Sequence, residues 1–380
     1  MAIYYDNSAT TQPFDEVVEA MAACMRETYF NPSSVYAPAV DVWRKQEQVR
    51  RTIAKDLGVL EEEIIFTSGG TESNNTAVNC VINGAVKPGH VLLSGVEHPS
   101  VYDSIQNMKS KGFEIEVLPC NAFGGVDIDP LQNALRPDTQ LISIMHVNNE
   151  SGAVNDIVSL GRKIKQIAPN AFFHVDGVQA YPKVLADLRY VDAYSISGHK
   201  LHGPRGIGAL VLKKKFKKHA MMLGGGQEKG MRAGTENTAA ILGLGAARNR
   251  YMEHRDEYLQ NIRAIRDALT EGLLCIPDTR INSPSGSSAA PHILSVSFMG
   301  VRGETLLHAL EEKGIYVSTG SACSSHKKGS RVLSAMNIPK QYIGGTIRIS
   351  IGCYNQLDEC QTALQEIERA VVHLRRFQRK

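Results

Sequence analysis

Lys200 stands in the run Ser195-Ile196-Ser197-Gly198-His199-Lys200-Leu201-His202-Gly203-Pro204-Arg205-Gly206, after an apolar stretch and before a Gly/Pro turn. An amine at a strand end can condense with an aldehyde, and Ser197 and His199 beside it can hydrogen-bond a phosphate. Taken alone, a lysine there is a solvated loop residue, so the reading needs companions. An aldehyde carried on a pyridine ring requires an anion for its ring nitrogen and a phosphate cradle. His174-Val175-Asp176-Gly177-Val178-Gln179 ends an apolar run with a carboxylate, and Asp176 there can keep such a nitrogen protonated. A helix N-cap and a His174/Asp176 metal site are the alternatives, the second lacking a third ligand at suitable spacing. Phe66-Thr67-Ser68-Gly69-Gly70-Thr71-Glu72-Ser73 runs from a strand through a glycine turn into a helix. Free N–H groups at such a turn bind phosphate, with Gly70 and Thr71 as contacts, although plain helix capping explains the same residues.

Of the seven cysteines (24, 80, 120, 275, 323, 353 and 360), none is paired as C-x-x-C, which argues against a disulfide framework or a structural zinc site. Most lie among apolar neighbours, as Cys24 and Cys275 do, and are expected to be small buried hydrophobes. Cys323 differs. Its surroundings, Ser318-Thr319-Gly320-Ser321-Ala322-Cys323-Ser324-Ser325-His326-Lys327-Lys328, are small and polar, which predicts an exposed, mobile loop. A thiol needs positive charge nearby to be a good nucleophile at neutral pH, and His326, Lys327 and Lys328 are candidates to supply it.

These residues must be held by elements that the apolar pattern reveals. Seven β-rich runs, at 64–67, 91–94, 115–118, 141–145, 172–175, 193–196 and 208–211, alternate with helical stretches, the signature of an α/β domain with a mostly parallel sheet. From Thr238 to Leu274 a proline-free stretch with helical spacing predicts one long helix. A loop at 283–288, a strand at 293–298, a helix at 304–313 and a strand at 315–318 then predict a smaller α/β unit, to which the first dozen residues are added. The expected division is a large domain over 14–255 and a small domain from 1–13 and 256–380. With 380 residues, 43% apolar content and net charge +3, disorder is excluded. The short basic runs at Lys213-Lys214-Lys215, Lys217-Lys218 and Arg375-Arg376 read as solvated faces, with docking of an RNA or protein acceptor as the alternative. No run reaches the ~20 apolar residues of a membrane span, and the first residues lack a leader pattern, so a soluble cytoplasmic protein is expected.

The ordered set Tyr5-Asp6-Asn7-Ser8-Ala9-Thr10-Thr11, Asn31-Pro32-Ser33-Ser34, Ser68-Gly69-Gly70-Thr71-Glu72-Ser73-Asn74-Asn75, Glu97-His98, His146-Val147-Asn148-Asn149-Glu150, His174-Val175-Asp176, Ser197-Gly198-His199-Lys200, Arg232-Ala233-Gly234-Thr235, Gly320-Ser321-Ala322-Cys323 and Ile347-Arg348-Ile349-Ser350 resembles the cysteine desulfurases. These are fold-type I pyridoxal 5'-phosphate enzymes within the class V aminotransferase superfamily. The resemblance spans nearly the whole chain. It implies that Lys200 carries the cofactor, Asp176 pairs with the ring nitrogen and His98 stacks on the ring and serves in proton transfer. It further implies that Asn149 and Gln179 contact the ring hydroxyl, and that Gly70, Thr71, Ser197 and His199 hold the phosphate. Thr235 would reach in from the second subunit of a homodimer. Arg348, with Asn149, would take the carboxylate of L-cysteine, and Cys323 would accept its sulfur as a persulfide.

Without the resemblance, His98 before Pro99 reads equally as a loop histidine, and Arg348 as a structural ion pair. Tyr36, Pro38 and Ala39 depart from the family pattern, which puts the substrate entrance in question. A selenocysteine lyase, another class V transaminase or a non-catalytic sulfur-relay protein are the competing readings. The implied acceptor is a protein, an iron–sulfur scaffold or a tRNA-thiolation enzyme, with no direct nucleic-acid binding, no metal and no membrane.

Overall fold

The computed structural model describes residues 2–215, 219–319 and 330–377. Among these the strands are β1 (Ile3–Tyr4), β2 (Ile64–Thr67), β3 (His90–Ser94), β4 (Glu114–Leu118), β5 (Thr139–Ser143), β6 (Phe172–Asp176), β7 (Ala193–Ser197), β8 (Gly208–Leu212), β9 (Thr279–Ile281), β10 (Ile293–Phe298), β11 (Ile315–Tyr316) and β12 (Thr346–Ser350). The seven expected strands form one sheet in the order β2-β8-β7-β6-β5-β3-β4. Only β8 runs antiparallel, to β7 on one side and β2 on the other. Since β2 and β7 both oppose β8, they point the same way, and the loops after β2, β3, β5, β6 and β7 all leave one sheet edge.

Alternation along these strands feeds two cores. Ile64, Phe66, Leu92, Ile142, Phe173, Val175, Tyr194 and Ile196 pack on one face. Ile65, Val91, Leu93, Leu141, Phe172, Ala193 and Leu210 pack on the other. Both faces are covered, as a parallel sheet requires, and this is the architecture of fold-type I.

The later chain builds a third core around Leu294, Val296, Phe298, Ile347 and Ile349. Its antiparallel sheet has the order β12-β10-β9. The chain start joins it: β1 pairs in parallel with β11, and Asp6 bridges Ser350.

Three expectations are corrected. The stretch from Thr238 to Leu274 is two helices, Thr238–Glu253 and Arg255–Leu274, broken at His254 where φ is −110° and ψ 16°. Apolar spacing continues through such a break, and Asp256 and Glu257 in the next first turn favour a fresh helix start. Cys275 is exposed. Leu273 and Ile276 face inward at helical spacing and leave Leu274 and Cys275 outside. The strand expected at 315–318 is only Ile315–Tyr316, with Ser318 making an isolated bridge to Arg348.

The Lys213–Lys215 run spends its charge locally, on Glu63, Glu62 and Asp192 respectively, while residues 217 and 218 lie outside the described residues. Among the described residues no helix is long and apolar enough to cross a membrane.

Candidate active site

The glycine turn after β2 opens the helix Gly70–Gly84, whose N-cap Gly69 has φ 153° and ψ −174°, a backbone conformation closed to side chains. No side chain caps this helix, so its first N–H groups face the cleft free of an internal acceptor. Ala9, Thr10, Ser68, Gly69, Gly70, Thr71, Ser197, His199 and Arg205 line that cleft, whose volume is about 470 Å3. The sequence reading thus has Gly70, Thr71, Ser197 and His199 together. Arg205, which it missed, adds a cation at the rim. The His199 Nδ1 meets Thr10 Oγ1 at 3.2 Å. Burial, with Lys200, Arg205 and Lys183 nearby, lowers its imidazole to about 4, so it is neutral at physiological pH.

Lys200 ends the single 3-10 turn after β7. Its Nζ donates to the carbonyls of Ser8 (2.6 Å) and Ala9 (2.7 Å), so the chain start positions the amine. Gln179 donates to the same Ser8 oxygen at 2.9 Å. Beneath Lys200, the buried Lys183 donates to its carbonyl at 2.7 Å.

Asp176 closes β6 and is 4% exposed. Its Oδ2 accepts from Asn74 Nδ2 (2.8 Å) and its Oδ1 from Val178 N (3.0 Å). Both donors are neutral, and no ion pair reaches Asp176 among the described residues. A buried carboxylate without a cation is costly unless one arrives. His98 follows β3, held in place by Glu97, whose Oε1 accepts from Ser94 Oγ (2.6 Å) and from Met145 N, two residues past β5 (2.7 Å). Burial pushes the Glu97 carboxyl up to about 7. The His98 imidazole is lowered, first by burial.

Arg348 on β12 is 6% exposed. Nη2 pairs with Asp6 Oδ1 at 2.7 Å and Nη1 donates to the Asn149 carbonyl at 2.8 Å, leaving the buried Nε without a partner. The ion pair weighed for it from sequence exists, and it sets the guanidinium beside Asn149. Thr235 is exposed and does not line this chain's cleft. Cys323 lies outside the described residues. Just beyond that stretch, Ser330 Oγ donates to Glu150 Oε2 at 2.7 Å, and Arg331 donates to the carbonyls of Gly95 and Glu97.

A pyridine aldehyde phosphate fits this donor set: a buried carboxylate without an ion-pair partner among the described residues, an amine at a strand end, and an uncapped helix start behind a glycine whose backbone conformation strains any other residue. Fold and site together define a pyridoxal-phosphate enzyme of fold-type I. The chain belongs to the class-V aminotransferase family, whose model matches residues 3–362. A protein named cysteine desulfurase IscS from Methanosarcina thermophila is 40% identical over 98% of this chain and 93% of its own length. Another of that name from Dictyoglomus turgidum is 41% identical over 98% of this chain and 95% of its own. Among solved structures, a NifS-like protein superposes with TM-score 0.92 at 34% identity, covering 98% of this chain and all (100%) of the other. SspA in complex with cysteine superposes with TM-score 0.82 at 31% identity, covering 93% and 99%.

Proposed function

We propose that this protein is a cysteine desulfurase that converts L-cysteine to L-alanine and takes the sulfur onto Cys323. The observation that carries the reading is the convergence of Lys200, the buried Asp176 and the uncapped Gly70–Gly84 helix at one edge of the sheet. Full-length relatives bearing that name support it, and so does a similar structure with cysteine bound.

Pyridoxal phosphate, when bound, supplies an aldehyde for the substrate amine and an electron-withdrawing ring. Gly70, Thr71, Ser197 and His199 would hold its phosphate, Asp176 its ring nitrogen, Asn149 and Gln179 its hydroxyl, and His98 its face. Arg348 and Asn149 take the substrate carboxylate. Lys200 Nζ removes the Cα proton. The Cys323 thiolate then attacks the substrate sulfur; the Cβ–S bond breaks, its electron pair stays with carbon, and a proton is added at Cβ. The balance is L-cysteine plus thiol giving L-alanine plus persulfide.

The working unit in this reading is a cytoplasmic homodimer, Thr235 of each subunit completing the other's phosphate site. The sulfur passes to an iron–sulfur scaffold or a tRNA-thiolation enzyme. The test is incubation of the purified protein with L-cysteine, quantifying alanine and protein persulfide. Equal amounts are expected in a first turnover. Cys323→Ser should keep the visible cofactor band and lose the persulfide. A Cys323→Ser protein that forms alanine at the full rate would defeat the assignment and favour a transaminase or lyase.

A further inference from the structure

At the same sheet edge as the cleft, Asp176, Asn74, Ser100 and His98 form a hydrogen-bond chain whose direction can be read from chemistry. Asp176, as a carboxylate, only accepts, so the atom of the Asn74 amide facing it at 2.8 Å is Nδ2. The same Nδ2 lies 2.9 Å from Ser100 Oγ and spends its second proton there. Asn74 is 1% exposed and its Oδ1 has no partner, so turning the amide over would set an oxygen against the carboxylate. Ser100 Oγ, already accepting from Asn74, lies 2.8 Å from His98 Nδ1. The Ser100 backbone N–H also points at this nitrogen, at 3.2 Å, where it can only donate. Two donors meet at Nδ1, so that atom carries the lone pair. A neutral imidazole has one N–H, which places the proton on Nε2.

We infer that Asn74 and Ser100 are positioning residues that fix His98 in its neutral Nε2–H form, so that the resting enzyme presents a hydrogen-bond donor to the cleft and no basic lone pair. Nε2 makes no hydrogen bond to the described residues and is the atom left for ligand. The charged groups around His98 come from four elements: Asp176 from β6, Lys200 after β7, Arg331 from the helix Arg331–Ala335 and Asp103 from its own helix. Burial outweighs them and keeps the ring neutral, in agreement with the geometry. A ligand group met first by Nε2–H is anionic or lone-pair-bearing, such as a thiolate or an oxyanion. Protonation at Nδ1 would require the Ser100 hydroxyl to turn away. The inference rests on the desulfurase reading only for what occupies the cleft.

The direct test is nitrogen-15 NMR of the histidine rings in the cofactor-loaded protein, the His98 signals assigned by their loss in His98→Gln. A protonated Nε2 with a lone-pair-type Nδ1 is expected; a protonated Nδ1 overturns the inference. Ser100→Ala removes one donor to the lone pair, so the His98 pKa, read by the same signals, should rise by roughly half a unit to one unit. The acid limb of the kcat/KM profile should move with it. Ser100→Thr, which keeps the hydroxyl, should restore both. An unchanged or lower pKa in Ser100→Ala would refute the positioning role. Because the tautomer is read without turnover, the two failures separate. An active desulfurase with Nδ1–H overturns this inference alone, and an inactive protein with Nε2–H overturns the functional reading alone.

Discussion

Replacing Lys183 by Met should reverse the order of stability of the two proteins as pH rises. Lys183 is 6% exposed, and its amine donates only to the Lys200 carbonyl among the described residues. Burial lowers it from the ordinary 10.5 to about 7, with Lys200 nearby adding to the effect and Cys353 opposing it. The other titratable groups that sense its charge are His199, His202 and His292. A lysine lowered on folding is one that the unfolded chain protonates more readily, so stability climbs with pH between the folded and unfolded values. Below about pH 7 both states carry the proton and the full penalty, roughly 5 kcal/mol for this shift, is present. Between pH 7 and 10.5 it is recovered at about 1.4 kcal/mol per unit. Methionine removes the penalty but also the hydrogen bond to the Lys200 carbonyl, at about 1–3 kcal/mol. Lys183→Met should therefore be the more stable protein by a few kcal/mol at pH 6 and the less stable near pH 10. Cys353, pushed up to about 12 by burial, stays a thiol across this window. The assay is reversible urea unfolding of both proteins at one protein and cofactor concentration, from pH 6 to 10. A stability gap that does not change with pH would refute the argument.

Arg348→Lys replaces a fork that serves Asp6 and the Asn149 carbonyl by a single ammonium. The loss of one charge-assisted hydrogen bond, about 1.5–3 kcal/mol, should raise KM for L-cysteine roughly 10- to 100-fold with a smaller change in kcat, measured by steady-state alanine formation. Gly69→Ala has room for its Cβ, the nearest atom being Ser197 Oγ at 3.9 Å, but not the backbone freedom at φ 153°. A strain of about 1–3 kcal/mol at the cradle should weaken pyridoxal phosphate retention about 5- to 150-fold, measured by equilibrium dialysis, with little change in fold by circular dichroism.

The sheet was legible because its chemistry is repetitive. Strands such as Leu141-Ile142-Ser143 and Ala193-Tyr194-Ser195-Ile196 bury both faces, and apolar β-rich runs between turns announce this from sequence alone. Gly70, Thr71, Asp176 and Lys200 were equally legible, since each sits at a strand end before a turn, where the chain must stop pairing and expose a side chain. What could not be read are contacts between segments far apart in sequence. Nothing local in Asn74 says that it joins Asp176 to Ser100, nor in Lys183 that it lies under Lys200. Arg205 had a weak signal, a cation in the Gly/Pro turn after Lys200. The Asp6–Arg348 pair spans nearly the entire chain, and its halves are brought together by the bridge of Asp6 to Ser350 on β12, next to the pairing of β1 with β11.

A single charge organises the cleft, and strand direction explains why. With β2, β3, β5, β6 and β7 all pointing to one edge, the loops carrying Gly70, His98, Asn149, Asp176 and Lys200 are forced into the same space, whatever their sequence separation. Of the two buried carboxyls there, Glu97 is raised to about 7, first by burial and in part by the negative charge of Asp176. That charge is also felt by His98, His174 and Tyr194, all of them buried or nearly so. Asn74 and the Val178 amide support the carboxylate without neutralising it. A pyridinium placed against Asp176 would therefore gain from a field the fold has already built, while a neutral ring would leave the carboxylate's desolvation unanswered.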